Sequence, residues 1–414
     1  MPVSPASVHR IHYGWVVVAA GMLCVVACLG FARFALGMLL PSMASTLKLS
    51  YSEMGFIGTG NFLGYLVSVL LSARASGRTG PRKFIFFALL AVCASMALVS
   101  RAGDFRSVMI WYTITGMGSG AVNVPVMGLV SAWFSSRLRG RAAGFIVIGS
   151  GFAIMLSGRL IPYVNREVGP EGWRVSWMIL SGLTALVALA ALALLRDRPQ
   201  DMGLSPVGGG EAPQPLPRPE AAAREPSVYR KGVVYHLGII YFLFGYTYPI
   251  YATFIVTTLV RERGFPEDVA GTFWMWIGFL SLFSGPVFGT LSDRLGRKAG
   301  LIMVFSLQAV SYLLAATRLP GAFLYLSIGF YGVVAWSIPS IMAAAMGDYV
   351  GARKAAEAFG LVTFIFGLGQ MTGPAVAGMM AQRLGGFSSA FYMAAAFAAI
   401  AIALTAFLRK PEPG

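Results

Sequence analysis

Long apolar stretches separated by short polar joins occupy nearly the whole of this 414-residue chain. Twelve of them lie near 14–40, 53–72, 84–100, 107–134, 143–164, 175–195, 232–259, 269–290, 299–316, 321–346, 357–380 and 387–408. Each is close to or above the roughly 20 apolar residues that carry an α-helix across a bilayer. The joins are short except one, at about 196–230. The pattern predicts an all-α integral membrane protein of 12 transmembrane helices, built as two pseudo-symmetric six-helix bundles. Residues 1–195 form the first bundle, 196–230 a flexible cytoplasmic inter-bundle loop and 231–414 the second. That layout suits a transporter better than a soluble enzyme.

Composition removes alternatives. The chain is 57% hydrophobic and 12% charged, with mean hydropathy +0.72, where soluble domains carry roughly 25% charged residues. A soluble protein of this length could not hide so much apolar surface, so a lipid bilayer is the expected solvent. The net charge of +16 raises nucleic acid as a partner, but the placement of the charge argues against it. With the N-terminus in the cytoplasm, the inside segments hold 21 Lys and Arg against 9 outside; Arg33 and Arg159 lie within spans. That bias puts both termini and the central loop in the cytoplasm. No nucleic-acid partner is expected. Cys24, Cys28 and Cys93 all fall in apolar stretches, which implies neither a disulfide framework nor a metal site. The first stretch is too long for a signal sequence and eleven more follow it, so it reads as a true span. None of Asn61, Asn123 and Asn165 begins an Asn-x-Ser/Thr acceptor, which fits a bacterial inner membrane.

The halves repeat at an offset near 216 residues. Gly80 in Gly-Pro-Arg-Lys recurs as Gly296 in Gly-Arg-Lys, Gly118 and Pro125 match Gly332 and Pro339, and Gly144 and Gly151 match Gly360 and Gly367. Duplicated bundles place a substrate site between them near the midplane, with access alternating as one rocks against the other.

Gly289-Thr-Leu-Ser-Asp293-Arg294-Leu-Gly296-Arg297-Lys298 joins the eighth and ninth spans. Gly289 allows close helix approach, Gly296 a tight turn, and Asp293 accepts hydrogen bonds at neighbouring helix ends. This segment resembles the signature of the major facilitator superfamily, which implies a gating role for Asp293, Arg294, Arg297 and Lys298. The first copy, Ala73-Arg-Ala-Ser-Gly77-Arg78-Thr-Gly80-Pro-Arg82-Lys83, has Ala73 for the first glycine and Gly77 for the aspartate. It keeps Arg78 and Arg82 as gating candidates without half of the charge latch. His12-Tyr13-Gly14-Trp15-Val16-Val17 and Arg196-Asp197-Arg198-Pro199 through Gly203-Leu204 resemble bacterial monocarboxylate porters and oxalate–formate exchangers. Gly30-Phe31-Ala32-Arg33-Phe34 is similar to the YbfB/YjiJ-type porters. Two departures stand out: the eighth span lacks the substrate-binding arginine of the organic-anion carriers, and Tyr112 stands where drug–proton antiporters usually carry arginine.

Arginine at the bilayer centre costs about 2.5–3.5 kcal/mol on insertion scales, so Arg33 and Arg159 need a reason to be there. Either each faces a cavity, where a guanidinium grips a carboxylate with two parallel hydrogen bonds, or each snorkels to the outer interface. Gly30 and Gly37 share a helical face with Arg33 and favour its burial against protein. Other polar candidates for substrate binding are Asn61, Tyr112, Asn123, Tyr246, Tyr331, Trp336 and Gln370, with interhelical bonding as the alternative for each. No carboxylate lies deep in a span; Asp293, Asp348 and Glu357 are the candidates for proton coupling. His236 reads as an interfacial residue. The leading expectation is a monomeric secondary transporter of a small organic anion, a monocarboxylate above all, coupled to protons or working by anion exchange. The alternative is efflux of drugs or amphipathic compounds. No nucleophile–base pair, phosphate loop or ligand cluster supports an enzyme, and no cofactor is expected.

Overall fold

The computed structural model describes residues 12–209, 228–317, 319–351 and 354–408. Twelve helices long and apolar enough to cross a membrane occupy the expected stretches. The first six are α1 (Tyr13–Thr46), α2 (Tyr51–Thr79), α3 (Pro81–Val99), α4 (Phe105–Trp133), α5 (Ser136–Val168) and α6 (Gly172–Leu194). The second six are α7 (Gly232–Glu262), α8 (Glu267–Leu295), α9 (Arg297–Ala316), α10 (Ala322–Val350), α11 (Ala355–Leu384) and α12 (Ser388–Ala406). One isolated bridge, Phe134 to Val207, is the sole β-pairing among the described residues.

Several helices overrun their apolar stretch because polar residues cap them. Ser50 opens α2 by accepting from the Glu53 N–H, and the Glu53 carboxylate accepts from the Ser50 N–H at 2.8 Å. Asp104 opens α4 in the same way with Ser107. Both residues satisfy N–H groups that the first helical turn leaves without partners. Bonds from Ser107 hold the Asp104 carboxyl below the usual carboxylate range. Gly80 (φ 83°) and Gly296 (φ 93°) turn the α2–α3 and α8–α9 corners in a conformation that a side chain would strain.

The two sets of six helices meet along two seams, α5 against α8 and α2 against α11. A Cβ on Gly158 would stand 2.6 Å from the Gly271 carbonyl, and one on Gly55 would stand 2.5 Å from that of Pro374. Gly158 and Pro374 differ by 216 in number, as do Gly55 and Gly271. The same holds for Gly151 on Leu282 and Gly367 on Leu66. The seams are thus one interface used twice, related by a pseudo-two-fold. One register changes: Gly332 packs on Ile277 of α8 as Gly116 packs on Asn61 of α2, whereas Gly118 packs on Val92 of α3. Gly116, and not Gly118, is the counterpart of Gly332.

The seams do not run the full length. One heptad nearer the chain termini, the register of Gly151 and Leu282 would set Gly144 against Gly289, yet a Cβ on either meets nothing within 4 Å. The hydrogen bonds between halves gather at the opposite end: Thr59 to the Met371 carbonyl (2.8 Å), Asn165 to Glu267 (2.6 Å), Trp274 to Ser157 (3.2 Å) and the Tyr51 N–H to Gln382 (3.0 Å). The protein is closed at the end away from the termini and parted at the end that bears them.

The segment after α6 corrects the expected flexible loop in its first part. The Trp133 indole donates to the Arg196 carbonyl (2.9 Å), and Val207 exchanges backbone bonds with Trp133 and Ser135. Residues 196–209 are therefore fastened to the first six helices. The stretch 210–227 lies outside the described residues.

Candidate functional site

The middle of α1 is not regular α-helix. Val26–Phe34 winds as a π-helix, a distortion that recurs at functional sites. It ends on Arg33. Gly30 packs on Ala153 of α5, and Gly37 lies against the Ala252 carbonyl of α7. Close packing on both sides buries Arg33 to 8% exposure.

The guanidinium is held between aromatic faces, with Cζ 4.7 Å from the Phe62 centroid and 4.1 Å from that of Tyr65. Cation–π contact of this kind offsets part of the desolvation cost. The hydrogen-bonding needs remain: Nε and Nη2 are buried and have no partner. Among the described residues, the ion pairs are Arg166–Glu167, Arg174–Glu171, Arg297–Asp293 and Arg297–Asp348, none of them at Arg33.

Arg33 lines a cavity between the halves, with Asn61 and Tyr112 from the first and Tyr248 and Thr253 from the second. Its volume of about 10 Å³ admits about one water. Among the sequence candidates, Asn61 donates to the Ala32 and Tyr112 carbonyls (both 3.2 Å), and the Tyr112 hydroxyl donates to the Arg33 carbonyl (3.0 Å). Gln370 donates to the Tyr248 hydroxyl. Asn123 donates to the Tyr65 hydroxyl at 2.8 Å, from behind the aromatic sandwich. The Trp336 ring does not line the cavity but packs on two residues that do, Phe34 (4.9 Å) and Tyr248 (5.9 Å), at the break that divides α10.

Three candidates lie elsewhere. Arg159 is exposed and does not border the cavity; its neighbour Gly158 takes the seam position on the same helix. Tyr246 points at Met393 and Phe397 of α12. Tyr331 stacks on Tyr251 and donates to the Tyr248 carbonyl (3.1 Å), a packing role. Sequence reasoning missed Phe62 and Tyr65. Their i, i+3 spacing puts both on one face of α2, but an aromatic in an apolar stretch carries no mark of its partner.

At the terminus-bearing end, Arg297 donates to Asp348 (2.6 Å) and also to Asp293. Lys298 reaches the Ala406 carbonyl, while Arg78, Arg294 and Glu357 are exposed. These bonds stay within the second half. The first half repairs its missing aspartate from a distance: Asp197, after α6, accepts from the Arg82 N–H at 2.7 Å, and Arg82 Nε donates to the Leu192 carbonyl at 2.7 Å. Asp197→Ala is expected to cost about 2 kcal/mol, the worth of a bond to a charged acceptor. A melting temperature equal to wild type would refute that assignment. Cys24, Cys28 and Cys93 are free thiols, and His236 bonds the Leu404 carbonyl (2.9 Å) near the start of α7.

Comparison with known proteins agrees with this architecture. The chain is 25% identical over 397 residues to the hexuronate transporter of Bacillus subtilis (strain 168), covering 89% of each. It is 24% identical to monocarboxylate transporter 11 of Mus musculus, covering 96% of this chain and 88% of that one. A bacterial homologue of the human lysosomal transporter Spinster superposes with TM-score 0.75 at 17% identity, covering 96% of this chain and 97% of the other. Residues 25–406 match the family model described as the uncharacterised MFS-type transporter YbfB. The chain belongs to that family of the major facilitator superfamily: it is an integral membrane transporter and not an enzyme.

Proposed function

We propose that the protein is a secondary transporter for a small organic anion, a monocarboxylate above all. One observation carries this reading: Arg33, buried between the halves, holds Nε and Nη2 without partners and has no carboxylate of the described protein to pair with. A carboxylate supplied by the cargo would satisfy both atoms through the paired bonds that guanidinium forms best. The hexuronate and monocarboxylate transporters among its relatives are named for organic acids, which supports the same class.

Alternating access follows from the seams. Parting of the halves at the terminus-bearing end would give the cargo its way to Arg33, and the positive-inside bias favours the cytoplasm of a bacterial inner membrane for that end and both termini. Each polypeptide carries a complete site between its own halves, so a monomer suffices. Asp293 and Asp348 clamp Arg297, and Glu357 is exposed at the same end. None lies at the cavity. A coupled proton would therefore travel with the cargo, or a second anion would return in exchange. The aromatic walls favour amphipathic compounds as a second reading, but a cationic drug would meet the Arg33 charge.

The test is uptake of radiolabelled lactate, pyruvate and formate into proteoliposomes, with and without a pH gradient or a counter-anion inside. Accumulation of at least one is expected. Folded protein that moves none of them, while raising drug tolerance in cells, would overturn the anion reading.

A further inference from the structure

The cavity that holds Arg33 also holds a buried group of opposite need. Asn61 is 1% exposed and lines the same space. Its amide donates to two backbone carbonyls, those of Ala32 and Tyr112, each at 3.2 Å. A carbonyl oxygen can only accept, so the orientation of the amide is fixed: nitrogen towards those carbonyls, Oδ1 away from them. That oxygen is buried and has no partner. A buried acceptor left unmet is costly, and a Leu at this position of an apolar helix would carry no such burden.

A bare carboxylate cannot satisfy both residues. It would occupy the N–H groups of Arg33, but it has no hydrogen to give Asn61. The cargo must supply an O–H or an N–H. An ammonium group would bring a second positive charge into a cavity that already encloses a guanidinium and contains no described carboxylate to balance it. A hydroxyl carries no such penalty. The two residues are also set side by side, since the Ala32 carbonyl that orients Asn61 belongs to the residue before Arg33. We infer that the cavity selects hydroxy acids: the carboxylate meets Arg33 and the hydroxyl donates to Asn61 Oδ1. Asn61 is then a specificity residue. Tyr112 has no hydrogen to give the carboxylate, because its hydroxyl hydrogen is committed to the Arg33 carbonyl.

This inference rests on the anion reading of the site, and matched pairs of acids separate the two. Purified protein is offered glycolate against acetate, lactate against propionate, and 2-hydroxybutyrate against butyrate. Affinity is read by thermal stabilisation and by competition for uptake into proteoliposomes. The hydroxy member of each pair is expected to bind at least about tenfold tighter, because a site built around a hydroxyl leaves its own polar group unpaired when the hydroxyl is missing. In Asn61→Leu, the preference is expected to fall within about twofold while binding of the deoxy acid survives. Equal affinity within every pair in the native protein would overturn the inference and leave the anion reading intact. A preference that persists unchanged in folded Asn61→Leu would overturn the assignment to Asn61. No binding of either member would overturn the anion reading, and the inference with it. The native comparison decides even where the variant fails to fold.

Discussion

Arg33→Ala is expected to abolish anion transport, Arg33→Lys to keep part of it, and Arg33→Leu to lose transport while melting no lower than the native protein. The three outcomes follow from one imbalance. Insertion of arginine at membrane depth costs about 2.5–3.5 kcal/mol. The contacts with Phe62 and Tyr65 return up to about 2 kcal/mol each when desolvated. The empty protein thus gains little or nothing from the guanidinium, and a leucine, shorter but free of the desolvation cost, loses little. Cargo changes the balance. Each hydrogen bond between charged partners is worth about 1.5–3 kcal/mol, so two of them account for at least a hundredfold in affinity. Lysine keeps the charge but not the planar fork, which explains a partial effect. Initial uptake rates in proteoliposomes and melting curves on the same preparations check all three. Native-like uptake by Arg33→Ala would show that the side chain never touches the cargo.

Arg33 and Arg159 show how far the sequence reaches. Both lie in apolar stretches at similar depth, and hydropathy treats them alike. Which face each occupies depends on the neighbouring helix. Gly30 and Gly37 let α5 and α7 close over Arg33, while Gly158 occupies the α8 seam and leaves Arg159 exposed on the same turn. Span number and span limits are legible because the bilayer demands about the same apolar length of every helix. Gly151 and Gly367 are legible at their correct register, each packed across a seam, whereas Gly144 and Gly360 keep the register and meet nothing within 4 Å. The pairing of Gly116 with Gly332 was not legible, because Gly116 and Gly118 offer the same absence of a side chain and only the packing separates them. The aromatic sandwich of Phe62 and Tyr65 and the return of Asp197 to Arg82 are tertiary events between residues distant in the chain. No local pattern announces either one.

The glycine seams lead to the second large effect: substitutions at Gly271 and Gly289, 18 residues apart on the same helix, should drive the protein to opposite states. Gly271 lies directly on the Gly158 carbonyl and 2.6 Å, at its Cβ position, from Pro162 Cγ. A leucine there cannot be housed while the far end is closed. Overpacking of about 1–3 kcal/mol would shift the balance roughly fivefold to 150-fold towards the state open at the far end, since populations follow the difference in free energy between states. Gly289, further along the same α8, faces open space, as does Gly144 across the gap. Gly289→Leu is harmless to the present state, but it obstructs the closure that the opposite state requires. It should hold the terminus-bearing end open and stop transport with the fold intact. Spin labels at the exposed residues Thr79 of α2 and Thr290 of α8 span that opening. Their separation is expected to remain long in Gly289→Leu and to shorten in Gly271→Leu, with Gly271→Ala as a milder step in the same direction. Equal shifts from both substitutions would mean that the glycines merely pack helices and the two halves do not rock about these seams.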